Sequence, residues 1–200
     1  YIVIITAENK ERYVSETINS CLKNSNNKKT RIFVTYSNLS NEKYLKVKFK
    51  RYKNIIFLKI QIKKKYPTQD QLYKIEQTLK FAKNEWVLLL DGDDYFINNK
   101  IKVLNKLNLK KNLVYLHDHK IKIGKTLLNP KFKKYKNFYL YQMLFNEWPQ
   151  NINTSSIIIN TNLIKNFYKN YNPYKWKYLA IDTQIILYFY YKKKFKQLNH

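Results

Sequence analysis

The stretch Trp86–Asp94, WVLLLDGDD, decides the fold. Its first five residues are apolar without interruption, as expected of a strand buried on both faces of a parallel sheet. The chain then enters Asp91-Gly92-Asp93-Asp94, which holds three of its six aspartates. Carboxylates this close repel one another and raise each other's pKa unless a cation neutralises them. One reading is an Asp-rich turn, with Gly92 supplying the bend and Asp94 capping a following helix. The other is a cation site. Hard oxygen donors suit Mg²⁺ or Mn²⁺, which commonly take one or two carboxylates together with substrate phosphates. Lysine dominates elsewhere, so the acidic concentration runs against the composition and favours the cation site.

Upstream the same strand-then-helix rhythm recurs. Ile2–Ile5 is continuously apolar and β-branched, and the polar loop Thr6–Lys10 follows it. Val14, Ile18, Cys21 and Leu22 recur at helical spacing until Asn24-Ser25-Asn26-Asn27 stops the helix. Arg31–Tyr36 reads as a second strand, Leu45, Phe49 and Tyr52 as a helix face, and Ile55–Ile62 as a third strand. Pro67-Thr68-Gln69-Asp70-Gln71 reads as a helix start, with Thr68 as cap and Gln71 completing a capping box. Leu72, Ile75, Leu79 and Ala82 line that helix. Four strand–helix units of this kind predict an α/β domain with a mostly parallel sheet. Ligands of such sheets bind beyond the carboxyl ends of the strands, where strand order reverses.

Downstream the pattern is less regular. Asn99–Leu109 reads as a helix, Leu113–His117 as a strand and Gly124–Lys136 as a basic loop. Phe138–Phe145 and Ala180–Tyr191 read as helices, and Ser155–Ile159 and Phe195–Leu198 as strands. No repeat or dividing linker is visible. Tyr1 opens inside a strand-like run, so the chain reads as a fragment of a longer one.

Composition narrows the function. Two hundred residues of 24.5 kDa, 44% apolar, make one domain that removes about 70% of its unfolded surface from water. The longest apolar run, Ile185–Tyr191, and the strand-like runs Tyr1–Ile5 and Trp86–Leu90 fall far short of the roughly 20 residues of a membrane span. With Gly92 and Gly124 as the two glycines, neither the dinucleotide fingerprint nor a Walker phosphate loop can form. The single Cys21 excludes an internal disulfide and fits a reducing compartment. The net charge of +26 suggests an anionic partner, yet only Arg12, Arg31 and Arg51 among 39 basic residues are arginine. A site for phosphates or base edges favours the bidentate Arg fork. The lysines are also spread along the whole chain. The charge therefore reads mainly as A/T-rich codon usage and solvated surface. An anionic membrane or ligand suits it better than a specific nucleic acid.

Trp86–Asp94 resembles the D-x-D strand of family-2 glycosyltransferases of the GT-A fold. The opening YIVIITAENKERYVSETINSCL resembles that family's first strand, nucleotide loop and first helix, and Ala82–Trp86 its approach to the D-x-D strand. The likeness covers about the first 110 residues well. Beyond them it rests on Asn153-Thr154-Ser155-Ser156-Ile157-Ile158 and on Ile181-Asp182. It implies a single GT-A-like α/β domain with a mostly parallel central sheet and helices on both faces. Residues 1–110 would form the nucleotide-sugar-binding half and residues 111–200 the acceptor-side half.

The resemblance further implies a metal-dependent, inverting transfer of a sugar from a nucleoside-diphosphate donor to a saccharide or lipid-linked acceptor. Mn²⁺ or Mg²⁺ would be the cofactor. The setting would be cell-surface polysaccharide synthesis in the cytoplasm, with peripheral association at the inner face of an anionic membrane. Asp91 would stand near the donor ribose and Asp93, with Asp91, at the metal. Gly92 and the loop Thr6-Ala7-Glu8-Asn9 would complete the nucleotide site. Asp182 matches the place of the general base, although Ile181 stands where the family usually has Glu. Its other reading is a helix N-terminal acid. Where the family often has an acidic turn after strand two, this chain has Thr35-Tyr36-Ser37-Asn38, so Ser37 becomes the candidate base contact. Where an Arg-Asn pair is common, Lys74 becomes the candidate phosphate partner.

Other motifs divide between function and packing. His117 and His119 share one side of a strand, with Asp118 opposite, and read as polar residues near the cleft. Trp148-Pro149, Trp176 and the Tyr168–Tyr178 stretch read either as core or as a stacking floor for a sugar acceptor. The competing functions are a sugar-phosphate nucleotidyltransferase, which normally needs a Gly-rich loop where Thr6–Lys10 has none, and a non-catalytic basic domain binding nucleic acid or anionic membrane.

Overall fold

The computed structural model describes residues 1–7, 11–25, 29–61, 64–97, 99–117, 121–123, 126–128 and 153–198. The amino-terminal half alternates β1 (Ile2–Ala7), α1 (Glu11–Asn24), β2 (Arg31–Tyr36), α2 (Glu42–Lys48), β3 (Ile55–Lys59), α3 (Pro67–Leu79), β4 (Trp86–Asp91) and α4 (Lys100–Lys106). Then come β5 (Val114–His117), β6 (Ile121–Ile123), β7 (Thr126–Leu128), β8 (Ile157–Asn160), α5 (Thr161–Tyr171), α6 (Ile181–Tyr191) and β9 (Phe195–Leu198).

Seven strands form one sheet in the order β3-β2-β1-β4-β8-β5-β9, and β6 pairs with β7 as a separate hairpin. The pairs β1–β2, β1–β4, β2–β3 and β5–β9 are parallel, whereas β8 runs antiparallel to both β4 and β5. Alternation along each strand builds two cores. Ile2, Ile4, Phe33, Val87 and Leu89 point to one face, covered by α3, α5 and α6 through residues such as Leu72, Ile164 and Ile185. Val3, Ile5, Ile32, Val34 and Leu88 point to the other, covered by α1, α2 and α4 through Ile18, Leu45 and Ile101. Burial on both faces explains why β1 and β4 are uninterrupted apolar runs rather than alternating ones. Strand order reverses between β1 and β4, which fixes where a cleft must open. Among the described residues no helix is long and apolar enough to cross a membrane.

Several sequence expectations need correction. The capping box at Thr68 does not form: Tyr66 is the N-cap of α3, Pro67 takes the first turn, and no side chain caps. Proline is preorganised there and its missing N–H costs nothing, which shifts the start by two residues. The third strand stops at Lys59, the expected basic loop from Gly124 contains strand β7, and Ser155 lies in a 3₁₀ turn before β8. Helix α5 was not expected. Its apolar face of Leu163, Ile164 and Phe167 is interleaved with Lys, Asn and Tyr, and it starts where the Asn160 side chain accepts from the Asn162 N–H at 3.0 Å. The expected helix at 138–145 lies outside the described residues.

Candidate functional site

The register Thr6↔Asp91 places two polar side chains side by side at the carboxyl ends of the central strands. Both follow the parity of Ile4 and Leu89, so they emerge on the face covered by α3. Gln71 comes down onto them from the first turns of α3. Its Nε2 donates to Asp91 Oδ1 at 2.8 Å and to Thr6 Oγ1 at 3.1 Å, and Thr6 Oγ1 donates to the same carboxylate oxygen at 3.2 Å. On the far side, the Asp91 N–H donates to Ser155 Oγ at 2.9 Å. Asp91 is thereby held by elements far apart in sequence, as preorganised electrostatics requires.

These residues line a cleft of about 530 Å³ at the switch point of the sheet. Its floor is Thr6, Asp91, Gly92 and Thr154, one wall is Lys64–Thr68 with Asp70, Gln71 and Lys74, and the opposite rim is Ala180 and Ile181. Asp93 is exposed on the turn beyond Asp91, which is closed by the Asp94 N–H donating to the Asp91 carbonyl at 3.0 Å.

Gly92 does more than bend the chain. Its N–H donates to the Thr6 carbonyl at 2.9 Å, and its own carbonyl accepts from Thr17 Oγ1 at 3.0 Å. A Cβ here would stand 3.1 Å from both Ala7 Cα and the Thr6 oxygen, and neither backbone atom can yield as a side-chain end would. Gly92→Ala is expected to push the β4 turn off β1, at a cost of about 1–3 kcal/mol. A lower denaturation midpoint with an unchanged denaturant slope is the expected reading; an unchanged midpoint would show that the turn shifts freely.

The other expected residues are distributed as follows. Lys74, 1% exposed, meets Asp70 across 2.7 Å, so its ammonium is engaged inside the cleft wall. Burial lowers it to about 8 and raises Asp70, with the nearby Ser37 hydroxyl opposing the latter. Ser37 follows β2 and flanks that pair. Asp182 sits in the first turn of α6, directly after the two rim residues. Burial raises its pKa, and hydrogen bonds from the Thr183 N–H (2.6 Å) and hydroxyl (3.2 Å) oppose the rise. Ala7 is buried beneath the cleft against the Gly92 turn. Glu8 and Asn9 lie outside the described residues, as do Asp118, His119, Glu147, Trp148, Pro149 and His200.

His117 ends β5, where its ring meets the Lys100 ammonium and, through Nε2 at 3.0 Å, the Ser155 carbonyl. It therefore braces the residue that holds Asp91. The tyrosine stretch splits: Tyr168, Tyr171 and Tyr174 pack on the core, whereas Tyr178 is 78% exposed and meets the cleft residue Tyr66 edge-on at 5.3 Å. Sequence reasoning missed Gln71 as a site residue and placed Ser155 only within a loose resemblance. The clue to Gln71 was its position after a proline start, with the polar side chain on the inner face of an amphipathic helix.

The profile of Glycosyl transferase family 2 matches residues 2–167. The chain belongs to that family. Solved structures similar to this family-2 chain include the 1–349 fragment of S. aureus TarS in complex with UDP-GlcNAc. It has a TM-score of 0.67 and 18% identity, covering 98% of this chain and 55% of that one. The glycosyltransferase GlyE of Streptococcus pneumoniae TIGR4 gives 0.52 at 13% identity, covering 99% and 45%. The galactosyltransferase LgtC, in complex with donor and acceptor sugar analogues, gives 0.57 at 15% identity, covering 100% and 73%. At these identities the likeness is one of fold, and the fold is of the GT-A kind. The chain spans about half the length of the TarS fragment. No curated protein matches the chain in sequence.

Proposed function

We propose that the chain transfers a sugar from a nucleoside-diphosphate donor to a hydroxyl of a saccharide or lipid-linked acceptor, with inversion and with a divalent cation. The observation that carries the reading is the Thr6–Gln71–Asp91 cluster at the sheet's switch point, with Asp93 exposed beside it. The structures of similar fold lend support: TarS is described with UDP-GlcNAc, and LgtC with donor and acceptor sugar analogues.

The residues fit Mn²⁺ or Mg²⁺. Asp91 and Asp93 offer hard carboxylate oxygens one residue apart, Asp91 fixed by its donors and Asp93 open to solvent. When bound, the ion would offset negative charge on the departing diphosphate. Thr6, Ala7, Gly92, Ser37 and Lys74 frame the nucleotide, with Glu8 and Asn9 assigned to the same loop. Asp182 takes the acceptor hydroxyl's proton as that oxygen forms its bond to the anomeric carbon. The bond from that carbon to the diphosphate oxygen breaks on the opposite side, so configuration inverts and the nucleoside diphosphate leaves.

The experiment is a panel of UDP-, GDP-, CDP- and ADP-sugars, read as release of nucleoside diphosphate with and without Mn²⁺. Metal-dependent release from one class is expected, and no release from any would contradict the reading. The lysine-rich surface is assigned to peripheral contact with the cytoplasmic face of an anionic membrane, at about 1 kcal/mol per lysine held near it. Sedimentation with phosphatidylserine vesicles should therefore be salt-sensitive and absent with neutral vesicles. Equal sedimentation with both would refute this assignment.

A further inference from the structure

Two exposed side chains at the mouth of the cleft stand on a firmly held turn. Lys177 and Tyr178 are its middle residues, and the Leu179 N–H closes it by donating to the Trp176 carbonyl at 3.1 Å. Gln184, fully buried on α6, ties both ends. Its Nε2 donates to the Leu179 carbonyl at 2.7 Å and to the Trp176 carbonyl at 3.3 Å. Across the mouth, Tyr66 precedes Pro67, which holds its backbone extended. Tyr66 lines the cleft, and its ring meets that of Tyr178 edge-on at 5.3 Å. The Lys177 ammonium stands 5.0 Å from the Tyr66 ring centre and 4.9 Å from that of Tyr178.

The polar ends of the three side chains converge. The Tyr66 phenol oxygen accepts hydrogen bonds from Tyr178 and Lys177, and Lys177 also hydrogen-bonds with Tyr178. An ammonium carries three donors, so one N–H of Lys177 remains, and the Tyr66 hydroxyl keeps its own proton to give. Lys64 and Lys65 line the same mouth. Among the described residues neither they nor Lys177 pairs with a carboxylate. The carboxylates of α3 are already met, Asp70 by Lys74 at 2.7 Å and Glu76 by the Tyr174 hydroxyl at 2.5 Å. Position decides which substrate reaches this cluster. The proposed diphosphate site is on the floor, at Asp91 and Asp93, whereas the turn leads through the rim residues Ala180 and Ile181 straight to Asp182. An acceptor with one hydroxyl at Asp182 must leave the cleft past Lys177 and Tyr178.

We infer that Tyr66, Lys177 and Tyr178 form an acceptor subsite for an anionic saccharide, one that carries a phosphate or carboxylate beside the accepting sugar. The inference rests on the proposed function and adds the acceptor's charge to it. The anionic oxygens accept from the remaining Lys177 N–H and from the Tyr66 hydroxyl, and the sugar packs its C–H face on Tyr178, which is 78% exposed. The buried amide of Gln184 fixes the turn to the helix that carries Asp182, so the bound anion and the base keep one spacing. Lys192 offers a matched comparison at the other end of α6. Its ammonium stands 6.0 Å from the ring centres of both Tyr188 and Tyr191, away from the cleft.

The test is calorimetric titration with neutral dextran oligosaccharides, with the same oligosaccharides phosphorylated, and with oligogalacturonate, at low and at physiological salt. The proteins are the wild type, Lys177→Met, Lys177→Met/Tyr178→Ala and Lys192→Met, each also titrated with UDP, GDP, CDP and ADP in the presence of Mn²⁺. The wild type should bind one or both anionic saccharides more tightly than dextran, and more weakly as salt rises. Which of the two it prefers identifies the anion as phosphate or carboxylate. Lys177→Met should lose about fivefold on the anionic saccharide, the upper worth of an exposed ion pair. The double variant, which also loses the ring contact, should lose about tenfold or more. Lys192→Met should lose nothing. A wild type that binds no anionic saccharide better than dextran would overturn the inference. So would an equal loss in Lys192→Met, which would make the attraction diffuse, or a loss of nucleotide affinity in Lys177→Met, which would give the cluster to the donor. A protein that binds anionic saccharides through Lys177 but none of the four nucleotides would keep the subsite and overturn the transfer reading instead.

Discussion

Asp182→Asn is expected to lower turnover by about 10²–10⁴-fold, the usual contribution of a positioned acid or base, while leaving donor affinity unchanged. The separation follows from where the residue sits. Asp182 follows the rim residues Ala180 and Ile181, across the cleft from the Asp91 turn and about 90 positions away in the chain. Burial raises its pKa, and only the deprotonated form can accept a proton. The rate should therefore fall as pH drops through that raised value, so the acid limb lies above the position of an exposed carboxylate, near 3.9. The asparagine variant should lack that limb. Single-turnover assays on wild type and variant would separate binding from chemistry. Normal turnover, or lost donor affinity with normal turnover, would assign the proton elsewhere, and Glu147 or Asp118 would be mutated next.

Asp93→Asn is expected to abolish metal-dependent donor binding with the fold intact. Asp93 is exposed and belongs to neither core, so the near-isosteric amide leaves the packing of the sheet untouched. Asp91, by contrast, has an oxygen tied to Thr6 and Gln71 and its N–H tied to Ser155. Removing a direct ligand should exceed the roughly 10–100-fold that follows loss of an outer partner. Calorimetry with a nucleoside diphosphate and Mn²⁺ would read the loss. Unchanged affinity would remove Asp93 from the metal role.

Much of this arrangement was legible in the sequence, for a physical reason. A strand buried on both faces must be apolar throughout, so β1 and β4 announce themselves, and the Asp-rich turn after β4 marks the carboxyl end of the sheet. What was not legible depends on contacts between distant elements. Gln71 looked like a capping residue because Thr68 precedes it by three; with Tyr66 as the cap, the same side chain turns inward to Asp91. Lys74 read as the candidate phosphate partner because nothing local shows that it is buried, where Asp70 meets it. Helix α5 was hidden because its polar positions are Asn162, Lys165, Asn166, Lys169 and Asn170, residue types that the composition spreads everywhere. Antiparallel β8 was read as a strand, but its direction emerges only from its pairing with β4 and β5.

The cleft at the ends of β1 and β4 is proposed to hold a nucleoside-diphosphate sugar through a divalent cation. The most direct measurement is calorimetric titration of the protein with UDP-, GDP-, CDP- and ADP-sugars, with Mn²⁺ and then with chelator. Saturable binding of one class, present with Mn²⁺ and lost with chelator, is the predicted result. Absence of binding to every donor, or binding that ignores the chelator, would contradict it.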